Sequence, residues 1–555
     1  MALQIPIQSD VFKILGGLAL VKNGLTAYYD HLRTSSDPVV AVGAVCAMLD
    51  TGIAHYGMWD QIVSLSGNFA VKVRAFPYFN AAFERDLART VALTPTSTVD
   101  AAESDAMLAT ISFDHVAALE ADKKRYLATA QLNFLERASV AAAEIGGWRA
   151  ALEWAVKAVA ISPLNPGPIA RVNGLLEEGA NGDLLAEFAS ILQAAGLHPG
   201  IAPVFAAGAA LKRGDAVACL AALKAVNRQQ FATNPGTIML RGAVGWLEAD
   251  AKDKLGAYKE AYAAYKSANE AERAPRIDPE DYYRGIEARG KIRAHSLPKD
   301  PRSDVVQMLG FPRSGTTLLE NAFAAHAGIE TFEEIPALKA AIDQIERVQL
   351  RKVPAPSDPA EVYVTARRKY YEEIDARRQK PDAKVLIDKL PLRSGDARFL
   401  DKLFPDWRYI FSIRHPFDVV LSCFRQRFVP NPAMENFTSI AGAVRAYDKA
   451  MSEWFGSHTL TDNAVHYIRY DDLVLDFRKT MSGALEFLGL EWNDDVNDFA
   501  VKAETRAGRT PSYIKVRQGL TIGVQSSWRN YGFLFQTPET KALNKWAEFF
   551  GYETT

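Results

Sequence analysis

Two short segments of the chain combine arginine, serine, threonine and glycine at spacings that suit the binding of phosphate groups. The first, GFPRSGTTLLE at 310–320, follows a short apolar run that is typical of a buried strand. Gly310 and Gly315 enclose four residues, which is the spacing of a phosphate-binding loop, and an apolar helical stretch follows. Backbone N–H groups at the start of such a helix point at a bound anion, and the helix dipole adds to their attraction. The segment therefore predicts an anion-binding loop between a strand and a helix.

This loop departs from the usual nucleotide-binding loop at Thr316, the position that normally holds a lysine. Without that lysine the γ-phosphate of a nucleoside triphosphate lacks its main cation, which disfavours a standard ATPase or kinase. Arg313 lies inside the loop instead, and a guanidinium can bind a phosphate or sulfate oxygen in a bidentate manner. We expect the anion to be held by Arg313, Ser314, Gly315, Thr316 and Thr317.

The second segment, WRYIFSIRHPFDVVLSCFRQRF, has the pattern of another strand followed by a helix. Tyr409–Ile413 is rich in strand-forming residues, and Pro416 suits the first turn of a helix. Arg414 at the strand end and Ser422 two turns into the helix can converge on one phosphate, where each charge-assisted hydrogen bond contributes roughly 1.5–3 kcal/mol. Two phosphate sites on neighbouring strand ends imply a nucleoside with phosphates at both ends, bound across the carboxyl ends of a parallel sheet.

The elements that must position these residues change in character near residue 300. Residues 1–300 are rich in alanine at helical spacing and contain few strand signals, whereas 301–555 contains several short apolar runs typical of strands. The prolines and polar residues of HSLPKDPRS separate the two parts. We therefore predict an α-helical domain at 1–300 and an α/β domain with a parallel sheet at 301–555.

A pattern of mostly small residues, spaced so that they lie on one face of a helix, recurs in the first domain. The pattern resembles that of the second helix of a tetratricopeptide repeat. A weaker copy begins at Gly57–Trp59. Small side chains on one face let a second helix approach closely, which predicts a solenoid of helix pairs; an irregular helical bundle is the alternative. The two clearest copies are Gly147, Trp148, Ala151, Ala155, Ala158 and Pro163, and Gly256, Tyr258, Ala261, Tyr265 and Ala268.

Composition disfavours several classes of protein. The chain of 555 residues has 64 Lys and Arg against 66 Asp and Glu, so its net charge of −2 argues against a nucleic-acid-binding protein. The three cysteines lie far apart and form neither a disulfide framework nor a metal motif, which favours a reducing compartment. No apolar run reaches the roughly 18 residues that a membrane span requires. We predict a cytoplasmic protein that needs no metal and does not insert into membranes.

The two anion-binding segments together resemble the sulfotransferases that use 3′-phosphoadenylyl sulfate (PAPS). GFPRSGTT is similar to the loop that binds the 5′-phosphosulfate in that family, and FPDWRYIFSIRHPFDVVLSCF is similar to its 3′-phosphate motif. The resemblance covers about residues 304–550 and is closest to bacterial sulfotransferases with tetratricopeptide repeats, which are similar to tyrosylprotein sulfotransferases. It implies an α/β sulfotransferase domain, PAPS as co-substrate, and transfer of a sulfuryl group to a hydroxyl acceptor.

The resemblance also implies which residues carry the chemistry. Glu334 in the run ETFEEIP matches the catalytic glutamate of tyrosylprotein sulfotransferases, and an ionised glutamate can accept the proton of the acceptor. Lys389 in VLIDKLPL matches the lysine of the family and can stabilise the bridging oxygen as it gains charge. Arg313 completes the catalytic set. Glu333 is an alternative base, and His326 ranks below both.

Four more residues are assigned to the donor by the resemblance alone. Tyr470 in YIRYDDLV matches a tyrosine that helps to hold the nucleotide. Arg517, Ser527 and Arg529 lie in a segment, 511–533, that resembles the one closing over the donor. Related bacterial sequences have an arginine at the position of Ser527, so the number of cations at the 3′-phosphate is open, although the serine can still donate a hydrogen bond.

The acceptor and the assembly stay open at this stage. Helical repeats often bind extended peptides, which favours a tyrosine of a peptide or protein, but a glycan or a small-molecule hydroxyl is equally compatible with the chemistry. Two rival functions are a nucleotide-dependent kinase and a nucleotide-sensing repeat scaffold without catalysis. A homodimer is a further hypothesis, because repeat domains often mediate pairing.

Overall fold

The structure is a computed structural model of the chain. The residues that it describes are 115–129, 132–179, 182–196, 200–228, 238–272, 277–292, 300, 302–335, 337–349, 358–456, 464–500 and 527–555. The described residues before Pro163 belong to one compact unit, and those of Pro163–Val348 and Ala355–Thr555 belong to another. Both anion-binding segments found in the sequence lie in the second unit.

The N-terminal part that is described is helical, as the sequence predicts. Its helices are α1 His115–Thr129, α2 Leu132–Ile161, α3 Pro166–Glu178, α4 Gly182–Ala194, α5 Ala202–Lys212, α6 Ala216–Lys224, α7 Ile238–Lys254, α8 Tyr258–Glu272 and α9 Glu280–Gly290. Helix α5 packs against α4 and α6, and α7 packs against α8, so that helices adjacent in the chain are also neighbours in space.

The alanine-rich stretches singled out in the sequence form buried helix faces. Gly147, with a φ of 68°, divides α2 into two halves, and Gly256, with a φ of 75°, precedes α8. Glycine adopts this left-handed conformation readily, so each glycine lets a new helix start in a new direction. The residues at helical spacing after these glycines are buried: Ala151, Ala155, Ala158, Ala261, Tyr265 and Ala268. The weaker copy at Gly57–Trp59 lies outside the described residues.

A single parallel sheet of five strands is found among the described residues, which confirms the predicted parallel sheet. Its strands are β1 Val305–Leu309, β2 Ile329–Glu333, β3 Val385–Lys389, β4 Arg408–Ile413 and β5 Val465–Arg469, in the spatial order β2-β3-β1-β4-β5. Met308 of β1 is paired with Lys389 of β3 and with Ile410 of β4. The strand order changes direction at β1, and open α/β sheets bind ligands at the carboxyl end of such a strand.

Helices connect and cover the strands. They are α10 Thr316–Ala325, α11 Ala337–Gln349, α12 Ala360–Asp375, α13 Ala397–Leu403, α14 Pro416–Phe424, α15 Ile440–Phe455, α16 Tyr470–Leu475, α17 Phe477–Phe487, α18 Pro538–Lys541 and α19 Asn544–Phe549. Shorter 3₁₀ helices span Pro391–Asp396, Met434–Thr438, Asp494–Asp498 and Ser527–Phe535.

Both faces of the sheet are buried, because alternate side chains of each strand point to opposite sides. Val306 and Met308 of β1 pack in a cluster with residues of α10 and α17. Val305 and Leu309 pack in a second cluster with residues of α12, α14 and α15. This double burial explains why the three central strands β1, β3 and β4 are mostly apolar in the sequence, whereas the edge strands β2 and β5 are partly exposed and carry more polar residues.

The core beside the sheet extends into helices that precede residue 300. Trp246 of α7 and Tyr265 of α8 belong to the same buried cluster as Leu309 of β1 and Phe424 of α14. These two helices therefore share a core with the sheet. The domain boundary near residue 300 stays a prediction.

Membrane-spanning helices and metal-binding clusters are both absent from the described residues. In that part of the chain, no helix is both long and apolar enough to cross a bilayer. Over the same residues, no group of three or more His, Cys, Asp or Glu side chains is placed so that it could hold a metal ion.

Candidate active site

The anion-binding loop follows β1 and ends at the first turn of α10, as predicted. Arg313 has a φ of 72° and Gly315 a φ of 106°. Left-handed residues within a tight turn direct successive backbone N–H groups toward one point, which forms a concave binding site for an anion. Helix α10 starts at Thr316, so the N–H groups of its first turn, which lack partners within the helix, face that point as well. The backbone alone thus provides a site for a phosphate or sulfate group.

Ser314 shapes this loop from within. Its Oγ accepts a hydrogen bond from the Phe311 N–H at 3.3 Å, and its own N–H donates to the Phe311 carbonyl at 3.0 Å. Ser412 of β4 donates from its Oγ to the Ser314 carbonyl at 2.8 Å. Because these polar groups of Ser314 are used inside the loop, its assigned contact with the anion stays a prediction.

Tyr470, the first residue of α16, covers the loop. A Cβ atom at position 315 would lie 2.6 Å from Tyr470 Cδ2, so the close contact requires Gly315. The Arg414 guanidinium lies over the Tyr470 ring at 4.7 Å from its centre, and Arg414 Nη1 donates to the Arg313 carbonyl at 3.2 Å. The ends of β1, β4 and β5 therefore bring Arg313, Arg414 and Tyr470 together.

Arg313 joins the loop to the second anion-binding segment. Its Nε donates a hydrogen bond to Ser422 Oγ of α14 at 3.1 Å. Burial lowers the pKa of Arg313 to about 10, and the charge of Arg414 acts in the same direction, so the guanidinium stays protonated at neutral pH. The sequence suggested two separate anchors, but side chains of the two segments are in contact. They form one continuous basic site.

Lys389, fully buried, reaches the site from the end of β3. Its Nζ lies 3.2 Å from a carboxylate oxygen of Glu320, 3.2 Å from one of Glu333 and 3.5 Å from one of Glu334. Burial alone would lower the pKa of Lys389, but the three carboxylates outweigh burial and hold the pKa above its ordinary value. Lys389 is therefore a cation, and it stands one strand away from the anion-binding loop.

Glu334 is held at Lys389 by its backbone. Its N–H donates to the Lys389 carbonyl at 2.9 Å, just beyond the last pair of the β2–β3 ladder. Glu334 has a φ of 51°, and in the described part of the chain the only other non-glycine residue with a positive φ is Arg313. A left-handed non-glycine residue costs roughly 1–3 kcal/mol, and such strain concentrates at functional sites. Both strained residues were assigned to catalysis from the sequence.

Asp388, the neighbour of Lys389, points to the opposite side of the sheet. Its Oδ2 accepts a hydrogen bond from Tyr370 OH at 2.6 Å and pairs with Arg393. Arg393 also donates to Gln307 Oε1 at 2.7 Å. The structure thus places Asp388 in a buried network away from the lysine, because side chains alternate along a strand.

His326, the weakest of the candidate bases, is engaged away from the loop. The Gly328 N–H donates to His326 Nδ1 at 3.0 Å, and His326 Nε2 lies 3.1 Å from the Glu491 carbonyl. Because Nδ1 accepts a hydrogen bond, the ring proton belongs on Nε2, where it is donated to that carbonyl. Both ring nitrogens are thus used structurally, which disfavours His326 as the base.

The C-terminal residues assigned to the donor have other partners or are not described. Ser527 Oγ donates to Asp418 Oδ1 of α14 at 2.9 Å. Arg529 lies at the surface and pairs with Glu553. Arg517 lies outside the described residues. The contacts of these three residues with the donor stay predictions.

Two features of the site were missed in the sequence. Glu320 of α10 is a buried carboxylate beside Lys389, and the available signal was a single charged residue inside the apolar stretch TTLLENAFAA. The second feature is an ion pair between Asp253 of α7 and Arg425, the residue that follows α14. These two residues are 172 positions apart, so no local pattern could reveal their contact.

The Asp253–Arg425 pair ties α7 to the helix that carries Ser422. Tyr531 OH also donates to Asp253 Oδ1 at 2.6 Å, and the Arg425 guanidinium lies 5.3 Å from the centre of the Tyr531 ring. Ser422, which lies three residues before Arg425, accepts the hydrogen bond from Arg313. A change at Asp253 should therefore reach the anion site through α14.

Replacing Asp253 with alanine is expected to lower the free energy of unfolding by about 1–3 kcal/mol, because the Arg425 guanidinium loses its partner. It should also weaken the binding of 3′,5′-adenosine bisphosphate, since Ser422 loses its support. Denaturant titration and calorimetry measure the two effects. Asp183→Ala is the control, because Asp183 pairs with Arg213 at the surface. Destabilisation with unchanged nucleotide affinity would show that the pair does not position Ser422.

The fold places a phosphate-type loop, a buried cation and a carboxylate at the carboxyl ends of parallel strands, an arrangement that suits the transfer of an anionic group. Residues 306–494 match the family model described as Sulfotransferase family. This stretch contains the loop, Glu334, Lys389, Arg414 and Ser422, and it is a sulfotransferase domain. The match confirms the resemblance to sulfotransferases, whereas the tetratricopeptide repeats and the bacterial origin stay predictions.

The individual relatives share only about a quarter of their aligned residues with this chain. Protein-tyrosine sulfotransferase 1 of Danio rerio is 27% identical over 193 residues, which are 34% of this chain and 53% of that protein. An uncharacterised protein of Aquifex aeolicus is 25% identical over 249 residues, 42% of this chain and 31% of that protein. The chain thus spans about a third to a half of the length of these relatives. The solved sulfotransferase domain of the Synechococcus PCC 7002 olefin synthase aligns with 47% of this chain and 100% of its own length, at 21% identity and a TM-score of 0.35.

Proposed function

We propose that this protein transfers a sulfuryl group from PAPS to a hydroxyl acceptor. The observation that carries the proposal is the position of Lys389, a buried cation that stands beside a phosphate-type loop whose own lysine is replaced by Thr316. Its pairing with Glu334 sets a cation and a base side by side. That pair suits a reaction in which a leaving oxygen gains charge while an acceptor hydroxyl loses its proton.

The basic site fits a nucleotide that carries phosphates at both ends. The loop amides, with Thr316 and Thr317, would hold the 5′-phosphosulfate, and Arg414 with Ser422 would hold the 3′-phosphate. Arg313 belongs to the first segment, contacts Ser422 and Arg414 of the second, and would lie between the two anionic groups. Further residues proposed to enclose the nucleotide are Tyr470, Arg517, Ser527 and Arg529.

The transfer forms a bond between the acceptor oxygen and sulfur and breaks the bond between sulfur and the oxygen of the 5′-phosphate. Glu334 accepts the proton of the acceptor hydroxyl. The electron pair of the broken bond stays on the phosphate oxygen, which Lys389 stabilises as charge develops. Arg313 stabilises the oxygens of the sulfuryl group during transfer, so catalysis rests on positioning and charge, as in phosphoryl transfer.

The helical part is proposed to present the acceptor. Helix pairs of the tetratricopeptide type form concave surfaces for extended peptides, which favours a tyrosine of a peptide or protein. A tyrosine hydroxyl, with a pKa of about 10, needs less help from a base than an aliphatic hydroxyl. Protein-tyrosine sulfotransferase 1 of Danio rerio is named for that acceptor. A glycan or small-molecule hydroxyl is the competing class, and a homodimer is the assembly proposed for such helices.

Calorimetry with adenine nucleotides tests the donor site. The bisphosphate should bind more tightly than AMP, because only the bisphosphate carries a 3′-phosphate. Arg414→Ala should weaken bisphosphate binding by about 10- to 100-fold, the value of one or two charge-assisted hydrogen bonds, and change AMP binding little. Arg408→Ala is the matched control, because Arg408 lies at the other end of β4 and donates to the carbonyls of Phe487 and Ser303.

Equal affinity for AMP and the bisphosphate would contradict the assignment of the donor, and hydrolysis of ATP with magnesium would favour a kinase. Transfer is measured with the full chain, radiolabelled PAPS and a panel of tyrosine peptides, glycans and small alcohols. The labelled product identifies the class of acceptor. Tight bisphosphate binding without transfer to any member of the panel would favour a nucleotide-sensing scaffold.

A further inference from the structure

We propose that Glu320 is a positioning residue for Lys389, holding the ammonium so that one N–H can pass from Glu334 to the oxygen that leaves with the phosphate of the donor. The inference rests on the proposed function of the same site. That function uses Lys389 and Glu334 but gives no role to the third carboxylate at the lysine, which lies on the helix that begins at the anion-binding loop.

The three carboxylates around Lys389 differ in burial and attachment. The side chains of Glu320 and Glu333 are 1% and 9% exposed, whereas that of Glu334 is 36% exposed. Glu320 is also held from a second side, because Thr331 Oγ1 donates to its Oε1 at 3.4 Å. Glu334 makes the longest of the three contacts with Lys389, at 3.5 Å.

The contacts of the lysine make these differences important. Lys389 Nζ donates hydrogen bonds to Glu333 at 3.2 Å and to Glu334 at 3.5 Å, and it forms an ion pair with Glu320 at 3.2 Å. Turning the ammonium toward the leaving oxygen therefore weakens its contact with at least one of these carboxylates. Separating a buried carboxylate from its cation is strongly unfavourable, because the charge is left without water or partner. Glu320 is such a carboxylate, whereas Glu334 reaches solvent.

Glu334 is consequently the carboxylate that loses its hydrogen bond to Lys389, whereas Glu320 and Glu333 keep their contacts with the lysine. This loss links two events of the reaction. As the Lys389 N–H turns to the leaving oxygen, Glu334 loses a hydrogen bond that competes with its role as base and becomes free to accept the proton of the acceptor. Glu320 also couples Lys389 to α10, and hence to the loop that holds the phosphosulfate.

Glu320→Gln tests this role, because the substitution removes the charge and keeps the shape. We expect kcat to fall about 10- to 100-fold, the usual loss when a residue that orients a reacting group is removed, with KM for PAPS nearly unchanged. Loss of one carboxylate lowers the pKa of Lys389, so the alkaline limb of the kcat profile should move to lower pH. Glu320→Asp should restore part of the rate.

Glu330→Gln is the matched control, a buried glutamate of β2 whose carboxylate accepts from the N–H groups of Gln379 and Lys380. It should reduce thermal stability without moving the pH profile. An unchanged kcat in Glu320→Gln would overturn the proposal. So would a double variant, Glu320→Gln with Lys389→Met, whose loss of kcat equals the product of the two single losses, because Glu320 would then act independently of Lys389.

A measurement of stability separates failure of this proposal from failure of the proposed function. Lys389→Met should lower the melting temperature less in the Glu320→Gln background than in the wild type, because one fewer carboxylate is left without its cation. Equal shifts in the two backgrounds would overturn the role of Glu320 whatever the activity. Wild-type protein that transfers no sulfuryl group would overturn the proposed function, even where the stability coupling is present.

Discussion

Replacing Glu334 with glutamine is expected to lower kcat by about 10²- to 10⁴-fold, the usual contribution of a general base. Glutamine has the same shape but cannot accept a proton from the acceptor hydroxyl. The affinity for 3′,5′-adenosine bisphosphate should change little, because Glu334 faces Lys389 and not Arg414 or Ser422. Initial rates with PAPS and the identified acceptor measure the first effect, and calorimetry measures the second.

Glu333→Gln separates the two adjacent glutamates. Glu333 is the more buried of the two and lies closer to Lys389, so it supports the cation more than it reaches an acceptor. Its substitution should therefore cost less activity than that of Glu334. The reverse order would assign the base to Glu333, and full activity of Glu334→Gln with normal nucleotide binding would remove Glu334 from the mechanism.

Replacing Lys389 with methionine is expected to have two large effects. The rate should fall about 10²- to 10³-fold or more, because the leaving oxygen loses a preorganised charged donor. The free energy of unfolding should fall by about 3–5 kcal/mol, as is typical when one partner of a buried ion pair is removed. Glu320 and Glu333 would be left buried without their cation. Kinetics and denaturant titration on the same preparation measure both effects.

Lys384→Met provides the control for this variant, because Lys384 lies just before β3, at the opposite end from Lys389, and is exposed. Lys384→Met should change neither the rate nor the free energy of unfolding appreciably. If Lys389→Met does not fold, the variant Lys389→Met with Glu320→Gln should recover part of the stability and allow the rate to be measured. Normal transfer by that double variant would exclude Lys389 from leaving-group stabilisation.

The anion-binding loop was the part of the site most open to prediction from the sequence. A strand, a loop bounded by Gly310 and Gly315, and a helix occupy one continuous stretch, so local spacing decides their geometry. The left-handed conformation of Arg313 and the contact of Gly315 with Tyr470 add detail that spacing does not contain. Glu334 and Lys389 were found only through the family resemblance, because a glutamate in a turn and a lysine at a strand end are common features of protein surfaces.

The sequence by itself determined the apolar strands, the loop and the chemical types of the residues at the strand ends, because these depend on side chains that are close together in the chain. Strand β2, which is partly polar, was not predicted. The order of the strands was decided only by the tertiary structure, since the pairing of β3 with β1 and β2 places Lys389 against three carboxylates from two other elements. The separation of Asp388 from Lys389 and the long-range pair of Asp253 with Arg425 likewise follow from packing. A buried charge needs an opposite charge nearby, and only the folded chain decides which one it meets.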